Sequence, residues 1–261
     1  MISIATTLPP HTSRRLGRKP KKHDVRTLEL EKYLPAVLPS TPDVDDWSTK
    51  LTNLTAMLND SVGDCGIAAP GHAEEVWTSQ TETQIVIPNS QILKAYEDVG
   101  GYDGTPATDN GIAMLDGAKY WRTTGIPNGK KIKNFAKLNQ ASHEHVDFAI
   151  HAYGGLYGGF NLPLSCQNQT TWTVVPGGTQ GDPTPGSWGG HAIWIVGRDK
   201  IRRTYKFISW GLLMEMTYEF WDDCADEAYA CLSDTDWAEA QLSPSGIDEA
   251  TLEGDLQLAA A

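Results

Sequence analysis

Asn59-Asp60-Ser61-Val62-Gly63-Asp64-Cys65-Gly66-Ile67-Ala68-Ala69 reads as a turn that delivers one cysteine onto the first turn of a helix. Gly63 permits a close backbone approach, and Asp64 has the side chain of an N-cap. Ile67, Ala68 and Ala69, with Val76 and Trp77 further along, supply the buried face of that helix. A sulfur placed there stands among backbone N–H groups that have no intrahelical partner. Their partial positive charge favours thiolate and draws a cysteine pKa below its free value of about 8.5. The pattern therefore predicts that Cys65 is the most readily alkylated thiol of the chain. Taken alone, a cysteine on a helix is more often packing than chemistry, so the reading needs a partner.

That partner stands in Gly186-Ser187-Trp188-Gly189-Gly190-His191-Ala192-Ile193-Trp194-Ile195-Val196-Gly197, where a glycine-rich loop feeds a histidine onto the start of a β-branched and aromatic strand. His191 follows Cys65 by 126 positions (191 − 65), an order and rough spacing that fit the papain arrangement of nucleophile and base. The chain resembles the papain-like cysteine peptidases at several points. Asn59-x5-Cys65 stands where that family carries Gln-x5-Cys, Gly63-Asp64-Cys65 parallels Gly-Ser-Cys, and Gly190-His191-Ala192 parallels Asn-His-Ala. Ser209-Trp210-Gly211 matches the end of Asn-Ser-Trp-Gly, and the alternating Met214, Met216, Tyr218 and Phe220 resemble the strand that follows it. The likeness runs from Asp45 to Leu232, and the whole chain also resembles papain-like proteins of tailed bacteriophages and actinobacteria.

The resemblance implies an α+β fold, with a helical half carrying Cys65, an antiparallel sheet half carrying His191, and a cleft between them. It implies that Cys65 attacks a carbonyl, that His191 moves the proton, and that the Asn59 amide steadies the oxyanion. There are two departures. Asn59 is one methylene shorter than the family's glutamine, and Ile208 stands where an asparagine orients the histidine. An aliphatic side chain cannot accept the imidazole N–H, so the resemblance leaves that role to a backbone carbonyl or water.

A chain of 261 residues with 40% hydrophobic content buries a substantial core and reads as one domain with appendages. No apolar run reaches the roughly 20 residues of a membrane span. The N-terminus has its basic residues after a short apolar stretch, which is not the order of a secretory signal. Cys65, Cys166, Cys224 and Cys231 form no Cys-x-x-Cys pair, so neither a zinc site nor a redox motif is expected. A reducing location follows, cytoplasmic or virion-associated. Cys224 and Cys231 read as core thiols seven residues apart on one helix. Residues 1–24 carry six cations against Asp24, or +5, which leaves −17 on the rest of a chain whose net charge is −12. An acidic body does not suit nucleic acid.

Three segments are expected: an extended basic and proline-rich arm at 1–45, the papain-like domain at 46–232, and a C-terminal extension at 233–261 with a short helix from Ser245. Papain-like peptidases often carry an inhibitory pro-segment, but this arm is too short and irregular to fold as a separate prodomain. It reads instead as a tether, offering a homo-oligomer or virion contact. Helices are predicted after Cys65, with Pro70 bending the first, and again around Ile92–Val99 and Ile112–Trp121. A further helix follows Ser142, another spans Trp221–Ala230, and strands are predicted near 153–160, 191–197, 204–210 and 213–220. Tyr102 and Asp103 lie in a loop that can border a substrate groove, and Trp210 either shelters His191 or simply fills the core. His72 reads as packed rather than catalytic. His143 and His145 do not share a helix face, so no metal is predicted, and no phosphate loop or dinucleotide fingerprint calls for a cofactor.

Two functions follow. One is a cysteine peptidase-like hydrolase that cuts a peptide or isopeptide bond through Cys65 and His191, with a peptide or protein substrate. The other is a catalytically degenerate papain-like domain that serves as a structural or attachment component of a phage particle, a reading favoured by Ile208.

Overall fold

Helix α1 (Cys65–Thr81) begins at the cysteine and runs through the centre of the molecule, with every residue from Cys65 to Ser79 buried. The computed structural model of the chain describes residues 7–10, 13–81, 83–126, 129–176 and 180–233. The Asp64 carbonyl accepts the first helical bonds, from the N–H groups of Ile67 and Ala68 at 2.7 and 3.0 Å. Pro70 has no N–H to give to the Gly66 carbonyl, four residues back. The Tyr157 hydroxyl donates to that carbonyl instead, at 2.7 Å, and the helix continues to Thr81. Trp77 stacks on Trp121 with centroids 5.5 Å apart and meets Trp194 edge-on at 5.4 Å, tying α1 to helix α3 (Met114–Thr123) and to the sheet. Helix α2 (Asn89–Gly100) completes this layer and ends on Gly101, whose φ of 70° closes it in the left-handed conformation.

Strand β5 (Gly189–Asp199) lies at the middle of an eight-stranded sheet ordered β2-β8-β3-β5-β6-β7-β4. The other strands are β1 (Val44–Asp46, paired with β5), β2 (Ile132–Lys137), β3 (Leu156–Leu162), β4 (Thr171–Trp172), β6 (Thr204–Ser209), β7 (Leu212–Thr217) and β8 (Ala225–Ser233). All neighbours are antiparallel except β4 with β7, which makes the sheet mixed rather than antiparallel throughout. One face packs on α1, α2 and α3 through Ala192, Trp194, Val196 and Ile208. The other packs on α4 (His143–Tyr153) and α5 (Tyr218–Cys224) through Ile193, Ile195, Tyr205 and Phe207.

Three sequence expectations are corrected here. The strand expected over 213–220 stops at Thr217, whose side chain accepts from the Phe220 N–H and starts α5. The helix expected over Trp221–Ala230 is the end of α5 followed by β8, which inserts between β2 and β3. Cys224 and Cys231 are both buried but sit on different elements. Both faces of β8 are covered from Glu227 to Ser233, so no polar alternation marks it as a strand. The helix expected from Ser245 lies outside the described residues.

Candidate active site

Cys65 is buried at the start of α1, and burial pushes its thiol up to about 12. The polar backbone at Ala192 and Gly17 and the Arg18 charge offset part of that rise. These lowering groups lie on β5 and on the arm, not at the helix start, and desolvation outweighs them, so the drop in the Cys65 pKa expected from the sequence is not found. The same cause raises Cys166, Cys224 and Cys231, so Cys65 is not set apart from the other thiols in this state.

His191 is the residue before Ala192, and the pairing of β5 with β3 fixes it opposite Phe160. Its Nε2 lies 2.7 Å from the Ser209 hydroxyl, and its ring stacks on Trp210 with centroids 4.6 Å apart and planes 15° from parallel. Nδ1 is buried and has no hydrogen-bond partner among the described residues. Burial, with Arg18 and Arg14 nearby, lowers the imidazole to about 3. The hairpin from β6 to β7 explains the placement. Ser209 pairs with Leu212, and the two residues between them, Trp210 and Gly211, have φ of 49° and 74°, the signs of a type I′ turn. Trp210 therefore shelters the histidine, and its indole N–H donates to the Arg15 carbonyl at 3.2 Å.

The assignment of the orienting position to Ile208 is corrected by one residue. Ile208 points into the layer facing α1, where it is fully buried, while Ser209 holds the ring. A hydroxyl on a hairpin end takes the place that the sequence motif left to an aliphatic side chain.

Asn59 is buried in the turn before α1, where Met57 and Leu58 have φ of 51° and 71°. Its amide donates to the Val62 carbonyl at 3.2 Å and lies beside the Asp64 carboxyl. The Asp64 side chain does not cap α1; burial pushes its carboxyl well above the ordinary range. Asp109 binds the Gly63 N–H at 2.9 Å and the Tyr96 hydroxyl at 2.7 Å, and so pins the cysteine turn to the loop before α3. Asp103 accepts from the Thr105 and Thr108 hydroxyls within its own exposed turn, and Tyr102 stacks on Tyr96.

The main surprise is the arm. Residues Arg15 to Lys19 run between Asn59, Ile112 and Gly190 and cover Cys65. The Arg15 N–H donates to the Asn59 carbonyl at 2.9 Å, and Ile112 bonds the Gly17 carbonyl and the Lys19 N–H at 2.8 Å each. The Arg18 N–H donates to the Gly190 carbonyl at 3.0 Å. Gly17 passes so close to Gly63 that a Cβ on it would stand 2.8 Å from the Gly63 Cα and inside its carbonyl group. The Arg14 guanidinium lies over the Trp188 and Trp210 rings, 5.3 and 5.1 Å from their centroids, and donates to the Gln167 carbonyl. Two of the cations read as a free tether are therefore buried against the domain.

No protein-family model matches the sequence, and no curated protein sequence matches it either. Solved structures do match. Xylellain, a cysteine protease from Xylella fastidiosa, superposes with a TM-score of 0.64 at 16% identity, over 88% of this chain and all of that one. Procathepsin B S9 from Trypanosoma congolense gives 0.59 at 12%, over 86% and 88%. The cysteine protease and lectin-like domains of Cwp84 from Clostridium difficile give 0.57 at 13%, over 85% of this chain and 56% of that one. The fold is papain-like.

Within the papain-like fold the helix carrying Cys65 packs against the strand carrying His191, with Cys65 and Ala192 in one core cluster. Four other histidines are engaged elsewhere, among them His151, which pairs with Asp45 at 3.1 Å. His72 pairs with Glu75 at 3.2 Å, His143 with Tyr205 and Asp222, and His145 with Glu31. Among the described residues no group of three His, Cys, Asp or Glu side chains is arranged to hold a metal ion. Ser209 and the cleft contacts of the arm are what sequence reasoning missed. The dipeptide Trp210-Gly211 between two alternating stretches was the available signal for the first.

Proposed function

We propose that this chain is a cysteine peptidase-like hydrolase, held here with its own arm across the site. The observation that carries the reading is the junction of Cys65 with the His191–Ala192 pair. Ala192 packs in the same core cluster as Cys65, while His191 has Nε2 anchored on Ser209 and leaves Nδ1 unpartnered. With Nε2–H donating to Ser209, Nδ1 is the free base. It takes the Cys65 proton as the sulfur attacks a peptide or isopeptide carbonyl, then returns it to the leaving amine. Water, losing a proton to the same nitrogen, hydrolyses the thioester. The Cys65 backbone N–H and the Asn59 amide would hold the oxyanion, the latter after turning from Val62.

With the arm in place both groups are neutral, the thiol raised and the imidazole lowered by burial. That buried neutral pair also suits a catalytically degenerate domain, which as the second reading would serve as an attachment component of a phage particle. Peptide cleavage by the full chain carrying Gly17→Ala, compared with the same chain carrying Cys65→Ala as well, separates them. The hydrolase reading requires cleavage that disappears with Cys65. Equal products from both proteins, or none from either, support the attachment role.

A further inference from the structure

The arm crosses the site by main-chain bonds that any residue could make, yet one of its side chains is gripped. Arg18 is clamped through its backbone to Gly190, with Gly17 and Lys19 on either side bonded to Ile112. Its side chain, 1% exposed, turns down between the two halves of the molecule. There Nη1 meets Glu227 Oε1 at 2.7 Å, and Nη2 meets Asn161 Oδ1 at 2.7 Å and Asp226 Oδ1 at 2.9 Å. Glu227 is itself 1% exposed and accepts from the Tyr229 hydroxyl at 3.1 Å. Gly159 forms the wall; a Cβ there would stand 2.8 Å from the Glu227 Cγ and 3.0 Å from the Arg18 Cδ.

A planar guanidinium, presenting N–H groups in a fixed fork, suits three oxygens spread in this way, whereas a lysine offers a point charge. A buried carboxylate left without its cation is unfavourable, so the pocket favours another cation in the place of Arg18. The strips that clamp Arg18 flank Cys65 and His191. Any extended chain that takes the arm's place meets the same backbone groups and offers a side chain to the same pocket.

We propose that the Glu227, Asp226 and Asn161 pocket selects an arginine side chain of the substrate, and that Arg18 is its resident stand-in. The proposal rests on the hydrolase reading for its link to cleavage, but not for its binding chemistry. The test begins with the full chain carrying Arg18→Ala. N-acetyl-arginine amide binds this protein and raises its thermal midpoint, N-acetyl-leucine amide does not, and the added Glu227→Gln removes the difference. If Arg18→Ala does not fold, Arg18→Met keeps the packing on Gly159 and takes its place. Equal response to both amides, or to neither, overturns the proposal. Matched fluorogenic peptides differing only by arginine or leucine at one position, placed in turn at each of the three positions before the cut, give the second readout. At one of them arginine is favoured tenfold or more in kcat/KM, and Glu227→Gln brings that ratio within twofold. Cleavage without any arginine preference sinks the pocket and leaves the hydrolase reading standing. Arginine-selective binding with no cleavage of any peptide does the reverse.

Discussion

Replacing Gly17 by alanine should open the site without touching either reacting side chain. The new Cβ would stand 2.8 Å from the Gly63 Cα and closer still to its carbonyl. Carbon atoms settle at about 3.5–4 Å, so the strand must move by ~1 Å or more. Gly63 cannot give way cheaply, because Asp109 holds its N–H at 2.9 Å. A shift of that size breaks at least the two nearest clamps, Gly17 carbonyl to Ile112 N–H and Arg18 N–H to Gly190 carbonyl. At about 1 kcal/mol net for each bond the closed form loses ~2 kcal/mol. Open molecules then become roughly 30-fold more frequent, since 1.4 kcal/mol is a factor of ten. The assay is mass-spectrometric mapping of iodoacetamide labelling at neutral pH under conditions where the labelled fraction follows the open population. Cys65 should label roughly 30-fold faster than in the parent, while Cys166 and Cys231, deep in the two cores, stay protected. Unchanged labelling of Cys65 in a folded protein would refute the idea that the arm is its cover, and simultaneous labelling of all three would mean that the fold, not the arm, had opened.

Further outcomes follow from the same geometry. Ser209→Ala, measured in the Gly17→Ala background, should lower kcat on the order of 10²-fold with little change in KM, because the imidazole loses its Nε2 anchor. Ile208→Asn should gain no reactivity and lose about 2–4 kcal/mol of stability by thermal or urea unfolding, since it puts an amide among apolar side chains facing α1. His191 sits near 3 when covered against an ordinary 6.5, so the covered form binds fewer protons between those values. Acidification through 6.5 toward 3 should therefore favour the open form by up to about tenfold per pH unit, and His191→Ala should flatten that slope in the labelling assay. Tyr157→Phe should cost about 1–3 kcal/mol, read as a drop in thermal midpoint, because the Gly66 carbonyl under Pro70 is left without a donor.

What could be read from the sequence was whatever depends on a short local pattern. The turn into Cys65 and the glycine loop into His191 are both of that kind, and their order and spacing implied the papain-like fold that carries them. Ser209 was missed by a single position, because the motif was matched residue for residue while the structure uses the turn type. At this hairpin Ser209 and Trp210 both meet the His191 ring, and Ile208 is turned to the opposite side. Strand β8 escaped because both its faces are covered, which erases the alternation that marks a strand. The arm escaped for a different reason. Its order comes from bonds to Asn59, Ile112 and Gly190 and from the close approach of Gly17 to Gly63, none of which leaves a periodic trace in residues 13–19. Composition alone made it look like a charged tether, whereas Arg14 and Arg18 are interior side chains.

The pairing of Cys65 with His191 as nucleophile and base is tested most directly by the pH profile of Cys65 alkylation in the full chain carrying Gly17→Ala, with and without His191→Ala. A thiol next to a competent imidazole titrates well below a free one, at about 3.5–7.5 instead of about 8.5. The predicted result is a profile whose midpoint lies in that lower range and returns to about 8.5 when His191 is removed. Identical profiles in the two proteins, with both folded, would contradict it.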